Sequence, residues 1–333
     1  MNNLRQDNKP MVSVWMITYN HEKYIAEAIE GVLKQQTQFK FDLIIGEDGS
    51  TDGTARIIKE YANKYPNKIK ARFNNPNIGM MPNMIKTLQE CSGKYIALCE
   101  GDDYWTDPLK LQKQVEFLEK TPDYVVCYHD AKIVDQSGNT VADSKLPEKF
   151  KGDFTSEELM KGAWALTLSM VFRNVVTAYP DEMFKVLNGD TFLTVLLGPY
   201  GKGKYLDQIQ PAIYREHQGG VWSSLDEDSK NFISFNSRLY MYQYHLRSTG
   251  KEFAVNFLFE TVFPYFKAIS PEKNPFSAQL RERDLREQRL RDCLRDMSNS
   301  YTYRVGALVL WPFKKIKSLM WAINDGIGVR KGR

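Results

Sequence analysis

The chain has 333 residues, 42% hydrophobic and 26% charged, which excludes global disorder and suits one large α/β domain with an appendage or two modest domains. The net charge of +4 arises at the C-terminal end: residues 281–333 carry 13 Lys/Arg against 6 Asp/Glu, while residues 1–280 carry 32 against 35. The front of the chain therefore lacks the basic excess of a nucleic-acid surface, and no nucleic-acid partner is expected.

Cys91, Cys99, Cys127 and Cys293 form no Cys-x-x-Cys pair and no zinc-like spacing with histidine. Cys99 and Cys127 stand in apolar runs and read as buried thiols of a reducing compartment, so a cytoplasmic location is expected. The N-terminal stretch has no apolar segment with a cleavage site, and no 18-residue apolar run suits a spanning helix.

In chain order, Val12–Thr18 reads as a strand and Glu22–Lys34 as a helix with apolar residues at helical spacing. Phe41–Ile45 is a second strand, Asp52–Lys64 a second helix with Ser50, Thr51 or Asp52 as cap, and Ile69–Phe73 a third strand. Met84–Glu90 (helix), Tyr95–Cys99 (strand), a helix from Pro108 to Glu119 and Tyr124–Tyr128 (strand) follow. This alternation predicts crossover units and a mostly parallel α/β sheet. Residues 130–161 read as polar and loop-rich, Ala165–Phe172 as a strand, Asp190–Leu197 as a helix and Tyr205–Arg215 as extended. Residues 226–270 read as helical, and so does the charged stretch 277–297, whose leucines are too irregular for a coiled coil; a homo-oligomer stays open.

Parallel sheets bind ligands at the carboxyl ends of their strands. The polar clusters of the first half lie there: Thr18-Tyr19-Asn20, Glu47-Asp48-Gly49-Ser50, Asn74–Gly79 and Glu100-Gly101-Asp102-Asp103. Three carboxylates within four residues repel one another unless solvated or neutralised by a cation, and hard oxygen ligands suit Mg²⁺ or Mn²⁺. The competing explanation is an acidic surface turn or helix start. In residues 47–54 the glycines and small hydroxyls allow close backbone approach to a ligand, and Asp48 can accept the imide N–H of uracil or thymine. Asp52 or Thr51 suits helix capping there.

Together TYN at 18–20, EDGSTDGT at 47–54, NIG at 77–79 and EGDDYW at 100–105 resemble the nucleotide-binding half of glycosyltransferase family 2, over about residues 10–225. The resemblance implies a GT-A fold, a Rossmann-like α/β domain that performs inverting transfer from a nucleotide-diphosphate sugar. It implies that Asp48 recognises the base, that Thr18, Tyr19 and Asn20 line the nucleotide with Glu47, Asn77 and Gly79, and that Arg72 lies near the base or diphosphate. Of Asp102 and Asp103, one would hold the divalent cation and its neighbour would contact ribose or donor sugar. Glu47 and Glu100 stand where the family more often has aspartate, and the Glu100 side chain is the longer by one methylene.

Asp190 precedes a helix and can be an N-cap, but its place between the acidic motif and Tyr214-Arg215-Glu216-His217 resembles the family's catalytic base. Gly219-Gly220 is a candidate hinge beside Arg215, His217 and Trp222, in a loop resembling the one that closes over the diphosphate. His217 there can join the metal or bind a phosphate. His21, His129 and His245 have no such context and read as structural.

The expected organisation is a catalytic domain over 1–225, a helical extension over 226–300 and a basic amphipathic tail over 301–333. In the tail, Trp311 and Trp321 flank Lys314, Lys315 and Lys317, as in a peripheral contact with the inner face of a membrane or a packed surface. The expected function is metal-assisted transfer from a UDP- or dTDP-sugar to a saccharide or lipid-linked saccharide acceptor in surface polysaccharide synthesis. The alternative is an inactive sugar-nucleotide-binding or scaffold protein on the same fold.

Overall fold

In the computed structural model, which describes residues 9–269, strands β1 (Val12–Thr18) and β2 (Phe41–Glu47) are buried along their whole length. Near-continuous apolar strands of this kind need cover on both faces, which crossover helices supply. The helices are α1 (Ile25–Leu33), α2 (Thr54–Lys64), α3 (Met80–Glu90) and α4 (Lys110–Lys120). They connect β1, β2, β3 (Ile69–Phe73), β4 (Tyr95–Leu98) and β5 (Tyr124–Tyr128).

With β8 (Val171–Arg173) and β9 (Lys202–Tyr205) these strands form a seven-stranded sheet in the order β3-β2-β1-β4-β8-β5-β9. Every neighbouring pair is parallel except those of β8, which runs antiparallel to β4 and β5. The chain steps outward from β1 to β3 and then returns to pair β4 on the other side of β1. The order reverses there, so the crevice at the carboxyl ends of β1 and β4 is a topological switch point, where such folds place ligands.

A second sheet is built from β6 (Ala131–Val134), β7 (Thr140–Ala142) and β10 (Ala212–Arg215), in the order β10-β6-β7. Tyr104 and Ile213 exchange backbone hydrogen bonds (3.2 and 2.8 Å), which tie the end of β10 to the acidic turn after β4.

Two local expectations change. The stretch 130–161 is not only loop: it supplies β6, β7 and the one-turn helix α5 (Ser156–Met160), closed by a Thr155/Glu158 capping box. Within 165–172, a 3₁₀ turn at Thr167–Ser169 leaves only Val171–Arg173 as strand. That turn frees the Leu168 and Ser169 carbonyls, which accept from Trp105 Nε1 (2.7 Å) and Gln114 Nε2 (2.9 Å).

Helix α6 (Gly189–Leu197) is almost wholly buried, and α7 (Glu227–Ser248) begins on Asp226, whose carboxylate accepts from the Ser229 N–H. Asn188, just before α6, accepts from Ser237 Oγ of α7 (3.0 Å). Helices α8 (Lys251–Phe257) and α9 (Phe263–Ala268) flank a π-helical turn at Leu258–Val262. The expected helix 277–297 and the tail 301–333 lie outside the described residues.

Candidate active site

The strand ends are locked together by loops that tolerate little bulk. Gly101 donates to the Ile17 carbonyl (3.0 Å), and a Cβ at Gly101 would stand 2.7 Å from Thr18 Cβ and Oγ1. Gly49 has φ +69 and would press a Cβ to 3.0 Å from the Asn77 nitrogen, so the loops after β2 and β3 meet only through glycine. Asn20, itself at φ 56, accepts from the Thr51 N–H (2.8 Å) and ties the end of β1 to the same loop.

A cavity of about 900 Å³ opens at these ends. Thr18, Tyr19, Asp48, Asn77 and Gly79 line it, as do Glu100, Asp102, Asp103, Asp190, Arg215 and Trp222. Tyr19 is 44% exposed, whereas Thr18 Oγ1 is buried without a hydrogen-bond partner.

Asp48 is buried and holds the loop after β3: its carboxylate accepts from Asn74 Nδ2 (2.9 Å), the Ile78 N–H (3.0 Å) and the Gly79 N–H (3.0 Å). Asn77 Oδ1 also accepts from Gly79. Asp52 accepts from Thr54 N–H and Oγ1 at the start of α2.

Three expected binding residues are not among the residues that line the cavity. Glu47 accepts from the Gly49 and Ser50 N–H groups, and Asn20 is engaged with Ser50 and Thr51. Arg72 is turned onto α3, where it pairs with Glu90 (2.9 Å) and donates to Asn83 Oδ1 and Thr87 Oγ1 (2.9 and 2.8 Å). The space over Gly46 admits the guanidinium there, because a Cβ at Gly46 would meet Arg72, Asn83 and Thr87.

Asp102 is the centre of the acidic turn. Its Oδ2 lies 3.0 Å from His217 Nε2 and 3.6 Å from His21 Nε2, and one ligand atom from each of the three residues falls within 4.8 Å of the others. From sequence alone His21 reads as structural, but it stands three residues past the end of β1, beside β4 at the switch point. Asp103 is not part of this group. It is buried, and its Oδ1 accepts the Arg215 N–H (2.9 Å). Arg215 completes the latch, with Nε on the Asp102 carbonyl (3.2 Å) and the guanidinium on Glu27 (2.6 Å).

The electrostatics separate these groups. Burial pushes the Asp102 carboxyl up, but His21 and His217 outweigh it and hold the group below the usual aspartate value. Burial, and then the charge of Asp102, raise Asp103 well above that value despite the Arg215 N–H. Glu100 is raised well above the usual glutamate value by burial, then by Asp103, Asp102 and Asp190. His21 is lowered, first by burial and then by His217 against the pull of Asp102, which favours the neutral imidazole that binds cations. Two imidazole nitrogens and a carboxylate oxygen suit a first-row divalent ion such as Mn²⁺ better than Mg²⁺, which prefers oxygen donors. The residues present therefore fit a divalent cation.

Asp190 is in the first turn of α6 but does not cap it: the cap position is Asn188. Its carboxylate accepts from Thr167 Oγ1 (3.1 Å) and the Thr191 N–H (2.7 Å). Burial raises its pKa, and those donors only partly oppose the rise. The other histidines are structural. His129 Nδ1 lies 2.7 Å from the Asp130 carbonyl and His245 Nε2 lies 2.9 Å from the Met160 carbonyl, and both side chains are buried.

Comparison with known proteins agrees with this architecture. Residues 13–172 match the glycosyl transferase family 2 model. An uncharacterized protein of Mycobacterium tuberculosis is 38% identical over 222 residues, 66% of this chain and 63% of that one, so the chain spans less than two thirds of that relative's length. TuaG of Bacillus subtilis, a glycosyltransferase named for teichuronic acid biosynthesis, is 36% identical over 110 residues, 33% of this chain and 42% of its own. The fold is similar to that of S. aureus TarS residues 1–349 in complex with UDP-GlcNAc (TM-score 0.58, 20% identity, 83% of this chain and 77% of that one). Residues 13–172, with their acidic turn at the switch point of a GT-A-like sheet, are a glycosyl transferase family 2 domain.

Proposed function

We propose that this protein is an inverting glycosyltransferase that uses a UDP- or dTDP-sugar. The observation that carries the reading is one cavity lined by Asp48, by His21 and Asp102 of the His21–Asp102–His217 group, and by a half-buried Asp190 with a raised pKa.

Asp48 uses its carboxylate on the loop after β3, yet Oδ2 accepts only the Gly79 N–H and retains a lone pair for an imide N–H. Uracil and thymine offer that donor. His21, Asp102 and His217 would hold a divalent cation, which supplies positive charge against the diphosphate. Asp190 accepts the proton of the acceptor hydroxyl as that oxygen attacks the anomeric carbon. The bond from that carbon to the diphosphate oxygen breaks, and the electron pair leaves with the diphosphate. The raised pKa of Asp190 makes it a stronger base than an exposed aspartate, while Thr167 and Thr191 fix its orientation.

The acceptor is a saccharide or lipid-linked saccharide of a surface polysaccharide, a reading supported by the likeness to TuaG. No helix among the described residues is long and apolar enough to cross a membrane; peripheral attachment through residues 301–333 at the inner face of the membrane is part of the proposal. Truncation at residue 300 should shift the protein from the membrane fraction to the soluble fraction.

The test of donor choice is thermal shift with UDP, dTDP, GDP and CDP, each with and without Mn²⁺. Stabilisation by UDP or dTDP that grows with Mn²⁺ is expected. A preference for GDP contradicts the role given to Asp48.

A further inference from the structure

The chemistry above leaves several cationic side chains of the cavity without a task, and they come from β7–α5 and from α7, on which the donor reading makes no demand. Lys230, Ser234 and Arg238 occupy successive turns on one face of α7 and all line the cavity. The two cations are about 12 Å apart along the helix at 1.5 Å rise per residue.

Neither is placed for the stability of the helix. Lys230 stands in the first turn of α7, where the helix dipole disfavours positive charge. Among the described residues its ammonium forms no ion pair or hydrogen bond, and its charge acts on another cation, Lys145. Arg238 stacks on Tyr265 at 3.9 Å, within hydrogen-bonding reach of its hydroxyl, and lies 3.5 Å from the Ser234 carbonyl. Its Nε is buried with no partner, and among the described residues no carboxylate lies within ion-pair distance. A buried guanidinium nitrogen left without a hydrogen-bond acceptor is costly, and an anionic ligand offsets that cost. Lys149 adds a third cation, over the ring of Phe150, which packs edge-on against Trp164; both rings line the cavity and offer faces to a sugar. Lys145 is already engaged by Glu216 at 3.5 Å and by the Tyr214 ring at 3.8 Å.

The direction of the reaction assigns these groups to one substrate. In an in-line inversion the attacking hydroxyl and the departing diphosphate occupy opposite sides of the anomeric carbon. The diphosphate belongs with Asp102, and the attacking side belongs with Asp190. Arg238 lies within electrostatic reach of Asp190, hence on the attacking side.

We propose that Lys230 and Arg238, with Lys149 at the lip, form an anion subsite for the acceptor, which therefore bears negative charge, either phosphodiesters or uronate carboxylates. The inference rests on the cavity being a glycosyl-transfer site with Asp190 as base.

The test uses the full chain with UDP and Mn²⁺ present, titrated calorimetrically with three probes: a glycerol-phosphate oligomer, a glucuronate-containing tetrasaccharide and its neutral glucose counterpart. At least one anionic probe should bind about tenfold or more tighter than the neutral one, with affinity that falls as salt rises. The stronger of the two anionic arms identifies phosphodiester or uronate as the source of the charge. Lys230→Gln and Arg238→Gln should each weaken that probe about tenfold, with UDP affinity changed less than about twofold and the melting transition retained. Lys149→Gln, at the exposed lip, is the variant least able to disturb folding and should show a smaller loss of the same kind. Equal binding of the neutral probe, or no binding of either anionic probe to protein that binds UDP, overturns the proposal. Variants that weaken UDP instead of the probe also overturn it, because the cations would then serve the donor diphosphate. A wild-type chain that fails to bind UDP in Mn²⁺ fails the donor reading, a result read separately from the probe titrations.

Discussion

Gly101→Ala tests how the site is assembled. The backbone at Gly101 is not left-handed, so alanine is tolerated conformationally and the effect is one of space. Its Cβ would stand 2.7 Å from two atoms of Thr18 and 3.1 Å from Ile25 Cδ1. Restoring ordinary contact at 3.4 Å moves the acidic turn from the end of β1 by about 0.7 Å. Neither neighbour yields easily, because Thr18 and Ile25 are buried. Overpacking of this kind costs about 1–3 kcal/mol, a fall in Tm of about 2–12 °C for a domain of this size. The same shift carries Asp102 away from His21, which is on the β1 side, while His217 arrives from β10. Loss of placement on that scale lowers rate by about 10²-fold. Calorimetric melting and Mn²⁺-dependent turnover of UDP-sugar measure the two effects, and activity should fall much further than stability. An alanine variant with wild-type Tm and wild-type Mn²⁺ dependence would refute the view that this glycine sets the distance between β1 and the acidic turn.

Asp190→Asn should keep the fold and lower kcat by about 10²–10⁴-fold, because asparagine cannot take the proton; wild-type kcat/KM should rise with pH along an acid limb above the ordinary aspartate value. His21→Ala should weaken Mn²⁺ by about tenfold or more, read as the Mn²⁺ concentration that half-maximally enhances UDP binding, and near-wild-type affinity would return His21 to a structural role. Burial holds His129 down at about 3 and His245 at about 4. Below the unfolded-state value near 6.5 the unfolded chain binds these protons and the folded chain does not, so stability falls from about pH 6.5 toward 4, by up to about 1.4 kcal/mol per pH unit for each histidine. Urea unfolding at pH 7 and pH 5 should show a smaller loss in His245→Gln than in wild type, and an identical loss would contradict a neutral buried imidazole.

The elements with strong periodicity were legible in the sequence: β1, β3 and β5 occupy the expected spans, and α1 to α4 fall within a few residues of theirs. The acidic turn and the Asp48 loop were legible because their polar residues directly follow apolar runs. Strands β6 and β7 were not, since four- and three-residue strands carry too few alternations to stand out from loop. The 3₁₀ turn at Thr167–Ser169 was hidden inside an apolar run, yet it brings Thr167 to Asp190. The positions of Arg72 and His21 were hidden for a shared reason. Sequence proximity to a strand end does not reveal where a side chain points: the space over Gly46 takes Arg72 to α3, while the end of β1 aims His21 at Asp102. Asp103 shows the same limit, because the backbone donor that occupies it, Arg215, is 112 residues away.

The most direct test of the account is proton NMR of donor turnover. The full chain is incubated with an α-linked UDP-sugar, with water as acceptor, and the anomer first released is recorded with and without Mn²⁺. The account predicts that the β-anomer appears first, that its release needs the divalent cation, and that Asp190→Asn slows it by about 10²–10⁴-fold. Release of the α-anomer first, or equal turnover in EDTA, would contradict a metal-assisted inverting transferase built on Asp102 and Asp190.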